Sequence, residues 1–219
     1  MTYGLSRNGY IPTLFERLNS RVVPWVGVLV AFAVGCICFL PFPSWQSLVG
    51  LITSASVLMY AGAPLSMGVF RKRLPDAERP YSVPGAAVVA PLAFIISNLI
   101  ILWTGWDTDW KLGVAILIGY VLLGLSRVTH ANPNPPAWQW RSAQWLPVYL
   151  LGLGVITYLS TFGGGRGTLD LWWSMALTAV FSLVIYYWAL AVSLPSHEIQ
   201  RMIDEVVVPE EEDVPSLGH

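Results

Sequence analysis

Side chains that could perform chemistry are rare in this sequence, and the charged ones lie outside its apolar segments. All thirteen acidic residues, all twelve lysines and arginines, and the three histidines (His130, His197 and His219) fall in loops, at segment ends or in the C-terminal tail. Ionisable groups inside a membrane usually mark proton or ion paths, because they are costly in lipid. The sequence also shows no nucleophile paired with a base and no metal-ligand cluster. It therefore predicts no enzymatic activity, no metal and no cofactor.

Three neutral features remain as candidates for a site. Asn98 lies in the middle of an apolar segment, where we expect a hydrogen bond between helices, with a substrate contact as the alternative. Cys36 and Cys38 lie together in an apolar run, where small side chains of this kind usually pack. The glycine-rich segment 163–167 lacks the Lys-Ser/Thr pair that completes a phosphate-binding loop, so it predicts a flexible turn.

The composition indicates an integral membrane protein. The chain has 219 residues, of which 55% are hydrophobic and 11% charged, and no charged residue occurs between Arg21 and Arg71. Soluble domains carry roughly a quarter charged residues, so this chain has less than half the usual share. These figures exclude a soluble enzyme, a nucleic-acid-binding protein and a secreted disulfide scaffold.

Six apolar segments approach the roughly 20 residues that a helix needs to cross a bilayer. They are Val22–Leu40, Trp45–Phe70, Pro84–Gly105, Lys111–Leu125, Trp145–Gly163 and Leu171–Leu194. The fourth is short and reaches across only with Trp110 and Ser126 included, or by thinning the bilayer locally. The fold class predicted is an all-α membrane protein with six transmembrane helices.

The distribution of basic residues predicts the orientation. Ten of the twelve lysines and arginines lie on one side of the predicted spans, and only Lys111 and Arg166 lie on the other. By the positive-inside rule, both termini are expected in the cytoplasm. We expect a cytoplasmic segment at 1–21, followed by four spans within 22–125. A basic, proline-rich and non-helical cytoplasmic loop is expected at 71–84, between the second and third of these spans. A proline-rich cytoplasmic linker at 126–144, two further spans within 145–194 and a cytoplasmic tail at 195–219 complete the chain. The tail begins with an amphipathic stretch, His197–Val208, and then becomes acidic.

Small residues recur every four positions on the first two spans. Gly27, Ala31 and Gly35 share one face of the first span, and a similar set occupies the second: Gly50, Ser54, Gly62 and Ser66. Small residues at this spacing let helix backbones approach closely in lipid, so both faces are expected to pack against other helices. Pro64 and Pro91 are expected to bend their helices.

Two cytoplasmic motifs resemble those of the amino-acid/polyamine/organocation permease superfamily. The first is Tyr3-Gly4-Leu5-Ser6-Arg7-Asn8-Gly9-Tyr10-Ile11-Pro12, followed by Val23-Pro24. The second is Arg71-Lys72-Arg73-Leu74-Pro75 with Arg79-Pro80-Tyr81 and Val83-Pro84-Gly85. In the family, similar segments join helices eight and nine and helices ten and eleven. Trp103-Thr104-Gly105-Trp106 is similar to bacterial members of the aspartate–proton symporter type.

The resemblance implies that this chain corresponds to the part of a permease from the end of helix eight onward. Family members contain two inverted five-helix repeats and hold their substrate on broken helices one and six, which would lie outside this chain. No substrate-binding residue can therefore be assigned here.

The resemblance thus implies the C-terminal fragment of a secondary amino acid transporter of the bacterial inner membrane. Coupling to protons or sodium, and an amino acid substrate, are expected only together with the N-terminal helices. The alternative is a non-transporting scaffold or accessory subunit. The lipid bilayer and a homodimer are the expected partners, and nucleic acid is not.

Overall fold

A computed structural model describes residues 4, 6, 11–19, 23–39, 45–77, 79, 81, 83–129 and 139–207. Helices dominate this part of the chain, and none of the described residues forms a β-strand. After a short 3-10 turn at Thr13–Glu16, the helices are α1 (Trp25–Phe39), α2 (Trp45–Arg73), α3 (Ala86–Thr104), α4 (Trp106–Val128), α5 (Trp140–Ala143), α6 (Trp145–Leu159), α7 (Leu171–Ala191) and α8 (Ser196–Val207).

Five helical segments are long and apolar enough to cross a membrane, and they confirm the predicted class. They are Val49–Arg73, Ala86–Thr104, Trp106–Val128, Trp140–Leu159 and Leu171–Ala191. The first predicted span, Val22–Leu40, corresponds to α1, which has only 15 residues. At 1.5 Å per residue it measures about 22 Å, which is short of the ~30 Å hydrocarbon core. Residues 22 and 40, the ends predicted for this span, lie outside the described residues.

The ends of two helices differ from the sequence prediction. The fourth span is a full 23 residues, because the helix begins at Trp106 rather than Lys111. Two acidic residues, Asp107 and Asp109, occupy its first turn, where carboxylates interact favourably with the helix dipole. The loop predicted at 71–84 begins later, since α2 continues through Arg73. The amphipathic stretch predicted at His197–Val208 is confirmed as α8.

The core lies where α2, α3, α6 and α7 meet. Phe94 of α3 is at its centre, fully buried, with its ring 5.7 Å from that of Tyr149 on α6 and 6.0 Å from that of Tyr186 on α7. Ala61 and Leu65 of α2 complete this cluster. Residues from four different helices therefore share one packed centre, which holds the bundle together.

The predicted close-packing faces are only partly correct. On α1, Gly27 is buried, but Ala31 is exposed and a Cβ at Gly35 would meet nothing within 4 Å. Cys36 is also exposed, so it does not pack as expected, and only the Gly27 end of that face is buried among the described residues. A tight helix contact is found instead at Gly152, where a Cβ would clash with the Phe181 ring. Sequence spacing identified small residues, but not which of them meet a neighbouring helix.

The glycine-rich loop between α6 and α7 packs backbone against backbone on the α3–α4 turn. A Cβ at Gly163 would lie 2.7 Å from the Cα of Gly105, and both residues have positive φ angles, 45° and 84°. The amide of Asp107 donates to the carbonyl of Gly163 at 2.8 Å. The predicted turn is thus present, and its glycines permit this close approach.

Candidate functional site

A buried polar junction lies at Asn98, where three helices meet. Its Nδ2 donates to the Ser182 hydroxyl of α7 at 3.0 Å, and its Oδ1 accepts from the Tyr149 hydroxyl of α6 at 2.5 Å. Asn98 itself is on α3 and is fully buried. The hydrogen bond between helices that the sequence predicted is therefore confirmed, and it links α3 to both of its neighbours.

A ladder of buried hydroxyls extends from this junction along α7. Ser174, Thr178 and Ser182 follow one another every four residues, and all three are fully buried. Each donates its single proton to the carbonyl four residues earlier, at 2.9, 2.8 and 2.6 Å respectively. Since Ser182 gives its proton to Thr178, its oxygen remains able to accept from Asn98. The polar groups are thus satisfied within the protein, as a buried position in lipid requires.

At the end of the bundle that holds the α3–α4 turn lies a carboxylate that the sequence analysis assigned to a loop. Asp109 is in the first turn of α4, and its Oδ1 accepts from the Thr104 hydroxyl at 3.0 Å. Its Oδ2 is buried with no hydrogen-bond partner among the described residues. The Thr157 hydroxyl is close to this carboxylate, but it donates its proton to the Leu153 carbonyl at 2.9 Å.

Asp109 therefore corrects the expectation that every ionisable group lies outside the spans. The signal that could have located it was the Gly105-Trp106-Asp107 sequence. A glycine followed by acidic residues before an apolar run is typical of a helix N-terminus. An unpaired, buried carboxylate oxygen is also the kind of group that marks a functional position in a membrane protein.

The basic residues of the second motif hold helix ends in place. Arg79 donates to the carbonyl of Leu74 at 2.5 Å, just beyond the end of α2, and to that of Phe70 at 3.4 Å. Arg73 donates to the hydroxyl and carbonyl of Ser193, at 2.9 and 2.8 Å, just after α7. Carbonyls at a helix C-terminus lack partners within the helix, and cations stabilise them. The motif thus joins the ends of α2 and α7.

The first motif is described only in part. Ser6 is buried, and its hydroxyl lies 2.8 Å from the Pro12 carbonyl and 3.0 Å from the Glu16 carboxylate. These contacts join Ser6 to the segment that precedes α1. Arg7, Asn8 and Gly9 of the motif lie outside the described residues.

The polar junction is suited to holding helices rather than to chemistry. Among the described residues, no group of three or more His, Cys, Asp or Glu side chains could hold a metal ion. In the described parts, α2, α3, α4 and α7 are each continuous, and α2 and α3 pass through Pro64 and Pro91 without a break. The remaining candidate span, Trp140–Leu159, consists of α5 and α6 with Gln144 between them. Asn98 has its oxygen and one amide proton engaged by other helices, so a structural role is better supported than a substrate contact.

We expect Asn98→Leu to destabilise the protein in detergent by about 1–2 kcal/mol, because the buried Tyr149 hydroxyl would lose its acceptor. Thermal unfolding followed by circular dichroism measures this. Tyr149→Phe in the same chain should recover part of the loss, since it removes the unpaired hydroxyl. Ser97→Ala is the matched control, because Ser97 bonds only the Ala93 carbonyl of its own helix. Equal stability of Asn98→Leu and Ser97→Ala would contradict the role of the junction.

Comparisons with known proteins agree with the family resemblance of the two motifs. Residues 1–106 match the family model described as amino acid permease. The aspartate-proton symporter of Bacillus subtilis is 33% identical over 201 residues, covering 91% of this chain and 39% of that protein. The glutamate/serine transporter AimA of Bacillus subtilis is 31% identical, covering 87% of this chain and 35% of that protein.

More distant similarity extends to the branched-chain amino acid permease BcaP of Bacillus subtilis, which is 26% identical over 137 residues. No solved structure gives a significant match. The chain spans about two fifths of the length of the first two relatives, while those relatives match about nine tenths of the chain.

Proposed function

The chain belongs to the amino acid permease family of the amino-acid/polyamine/organocation superfamily, and from this premise we propose that it forms part of a secondary amino acid transporter. The observation that supports this most strongly is the 33% identity to the aspartate-proton symporter over 91% of the chain. That similarity includes the membrane bundle as well as the cytoplasmic motifs. The chain is a multi-pass membrane protein whose relatives are transporters, and a non-enzymatic role follows from the proposal.

Within such a transporter, we propose that this chain supplies a supporting bundle rather than the substrate site. Four of the described membrane helices, α2, α3, α4 and α7, are continuous, and α5 and α6 are separated by a single residue, whereas substrates in transporters of this kind are held by helices broken near the midplane. The bundle of α2, α3, α6 and α7 has its own apolar core and its own satisfied polar junction. A rigid body of this kind can anchor moving helices. The substrate site would then require helices that correspond to the rest of the relatives' length.

A proton is the coupling ion that we propose. The supporting observation is the name of the aspartate-proton symporter, which is 33% identical to this chain. Aspartate, glutamate and serine are the substrates named for the first two relatives, so a small polar or acidic amino acid is the substrate class to test first.

The experiment that tests this function is uptake into liposomes. We expect the 219-residue chain alone to accumulate no aspartate under an inward proton gradient. Co-expressed with the N-terminal three fifths of the Bacillus symporter, it should support uptake that an uncoupler abolishes. The N-terminal part alone is the control. Gradient-driven uptake by the chain alone would refute the supporting role, and failure of the pair, with both parts present in the membrane, would contradict membership of such a transporter.

The second candidate function is a scaffold or accessory subunit that binds a partner protein in the membrane. The observation in its favour is that the described bundle has a closed core of its own. Aspartate uptake by the chain together with the N-terminal part of the symporter would support the transporter function. A stable complex with a different membrane protein, without any uptake, would decide for the accessory subunit.

We also propose that the protein lies in the bacterial inner membrane with both termini in the cytoplasm. Lys72 and Arg73 at the end of α2 contact the end of α7, so these basic residues gather at one end of the bundle. Reporter fusions after Arg73 and His219 should read as cytoplasmic, and a fusion after Gly165 as external. An external signal at His219 would overturn the proposed number of spans. A homodimer stays a prediction.

A further inference from the structure

The carboxyl group of Asp109, in the first turn of α4, has fewer hydrogen-bond donors around it than a carboxylate needs. Its Oδ2 is buried and has no hydrogen-bond partner in the described part of the chain. Its Oδ1 lies 3.0 Å from the Thr104 hydroxyl, but that hydroxyl lies closer, at 2.6 Å, to the carbonyl of Ile101. A hydroxyl has one proton to donate, so the carboxyl group competes for it with a backbone carbonyl.

The backbone amides at the start of α4 are also engaged elsewhere. Amides in a first helical turn usually stabilise a nearby carboxylate. The first four of α4 donate instead to carbonyls of the preceding glycine or of the loop between α6 and α7: Trp106 to Phe162, Asp107 to Gly163, and Thr108 and Asp109 to Gly105. The packing of that loop on the α3–α4 turn therefore occupies donors that an ionised Asp109 would use.

The Thr157 hydroxyl of α6 lies beside the same carboxyl group, but its proton is engaged within α6. This hydroxyl is fully buried and donates its single proton to the Leu153 carbonyl at 2.9 Å. Its oxygen retains a lone pair that can accept a hydrogen bond. Two oxygen atoms that can only accept repel each other, whereas a proton on the carboxyl group would convert this contact into an O–H···O hydrogen bond.

No basic side chain of the two helices that precede α4 offsets the charge of an ionised Asp109. The helix α3 contains no charged residue, and α2 contains none before Arg71. Gly50 of α2 lies beside Thr108 at the start of α4, so Arg71 is about 30 Å further along that helix.

The other titratable and charged groups near this end of the bundle belong to α6, to the loop that follows it and to α4 itself. They are Tyr149 and Tyr158 of α6, the exposed Arg166 and Asp170 of the loop, and Asp107 and Lys111 of α4. The Tyr149 hydroxyl donates to Asn98. The last two residues are each two positions from Asp109, a spacing at which helical side chains do not face each other. None of these groups supplies Asp109 with a proton donor or an opposite charge among the described residues.

We propose that Asp109 is a proton-binding site, whose Oδ2 carries a proton in the folded protein at neutral pH and donates it to the Thr157 hydroxyl. The proton converts a buried charge, which is costly away from water, into a neutral acid. It also supplies the missing donor between α4 and α6. The inference depends on the folded bundle and not on a part in transport, so its test requires no uptake.

Infrared spectroscopy of the full 219-residue chain detects this proton, because a neutral carboxylic acid has a C=O stretching band that a carboxylate lacks. Exposed carboxylates are ionised at neutral pH, so we expect the band of one protonated carboxyl group per chain. Asp109→Asn should lose this band, whereas Asp107→Asn, at an exposed position in the same turn, should keep it. Raising the pH of the wild-type sample should remove the same band.

Two results of this measurement would overturn the proposal. One is a wild-type chain without the band at neutral pH, as expected where a water molecule or a cation binds an ionised Asp109. The other is a band that Asp109→Asn and Asp107→Asn both keep, since the protonated group would then be a different one. Circular dichroism melting confirms that each variant folds.

Replacing the acceptor gives an independent readout. In Thr157→Val the acid would lose its hydrogen bond, so its band should shift to higher frequency. Thr178→Val on α7 is the matched control, because Thr178 is equally buried and likewise donates to a carbonyl of its own helix, that of Ser174. A band at the wild-type frequency in Thr157→Val would contradict the bridge between α4 and α6.

The proposal also determines the sign of a pH effect on stability. The unfolded chain would release this proton at neutral pH while the folded chain keeps it, so the site makes stability fall as the pH rises from acidic to neutral. Asp109→Asn cannot ionise, so its unfolding midpoint should fall less than that of the wild type over this range. An equal or steeper fall in Asp109→Asn would contradict proton binding at Asp109.

Discussion

Replacing Gly105 with alanine is expected to destabilise the protein by about 3 kcal/mol. Gly105 has φ 84° and ψ 164°, a conformation that is accessible almost only to glycine and costs other residues about 1–3 kcal/mol. Its Cβ would lie 2.8 Å from the backbone nitrogen of Gly163 and 3.1 Å from the carbonyl carbon of Phe162. Overpacking of this kind adds roughly 1–3 kcal/mol, because backbone atoms cannot move aside as flexible side chains do.

The loss should be visible as a lower midpoint of thermal unfolding in detergent, followed by circular dichroism. Gly113→Ala is the control, since Gly113 lies inside α4 and its Cβ would meet nothing within 4 Å. Alanine is the better helix former by up to about 1 kcal/mol, so this control should be neutral or stabilising. If Gly105→Ala and Gly113→Ala unfolded at the same temperature, the close approach of the α3–α4 turn to the loop between α6 and α7 would be contradicted.

Phe94→Ala is expected to lower stability by about 3 kcal/mol, at the low end of the 3–5 kcal/mol seen for buried phenylalanine in soluble proteins. Phe94 is 0% exposed and touches residues of the shared core of α2, α3, α6 and α7. In lipid, no hydrophobic effect drives helices together, so the loss comes from the contacts that the ring makes. Truncation would also enlarge a cavity of about 230 Å³ that Phe94 lines together with Leu58 and Tyr149.

The comparison for this variant is Phe32→Ala on α1, where the ring is 70% exposed and belongs to the apolar surface. That change should leave the unfolding midpoint in detergent nearly unaltered. The same loss of stability in both variants would show that Phe94 is not at the centre of the bundle. A loss for Phe94→Ala alone would confirm that the four helices share one core.

Much of the architecture could be predicted from the sequence because the signals are local. Membrane segments are recognised from a window of about 20 apolar residues, and α8 from the periodicity of its own side chains. The Arg71–Gly85 motif likewise identified the family from a short stretch. The errors arose at boundaries: Trp106 begins α4 earlier than hydropathy suggested, because polar residues in a first turn resemble a loop.

By itself, the sequence determined the membrane class, the positions of the long apolar helices and the permease family, since each depends on residues close together in the chain. Only the tertiary structure decided which groups meet. It placed Tyr149 and Ser182 on Asn98, brought Gly163 against Gly105, and left Ala31 without a neighbouring helix among the described residues. The physical reason is that lipid-embedded helices associate through packing and hydrogen bonds between specific faces, and hydropathy is nearly the same on every face of such a helix.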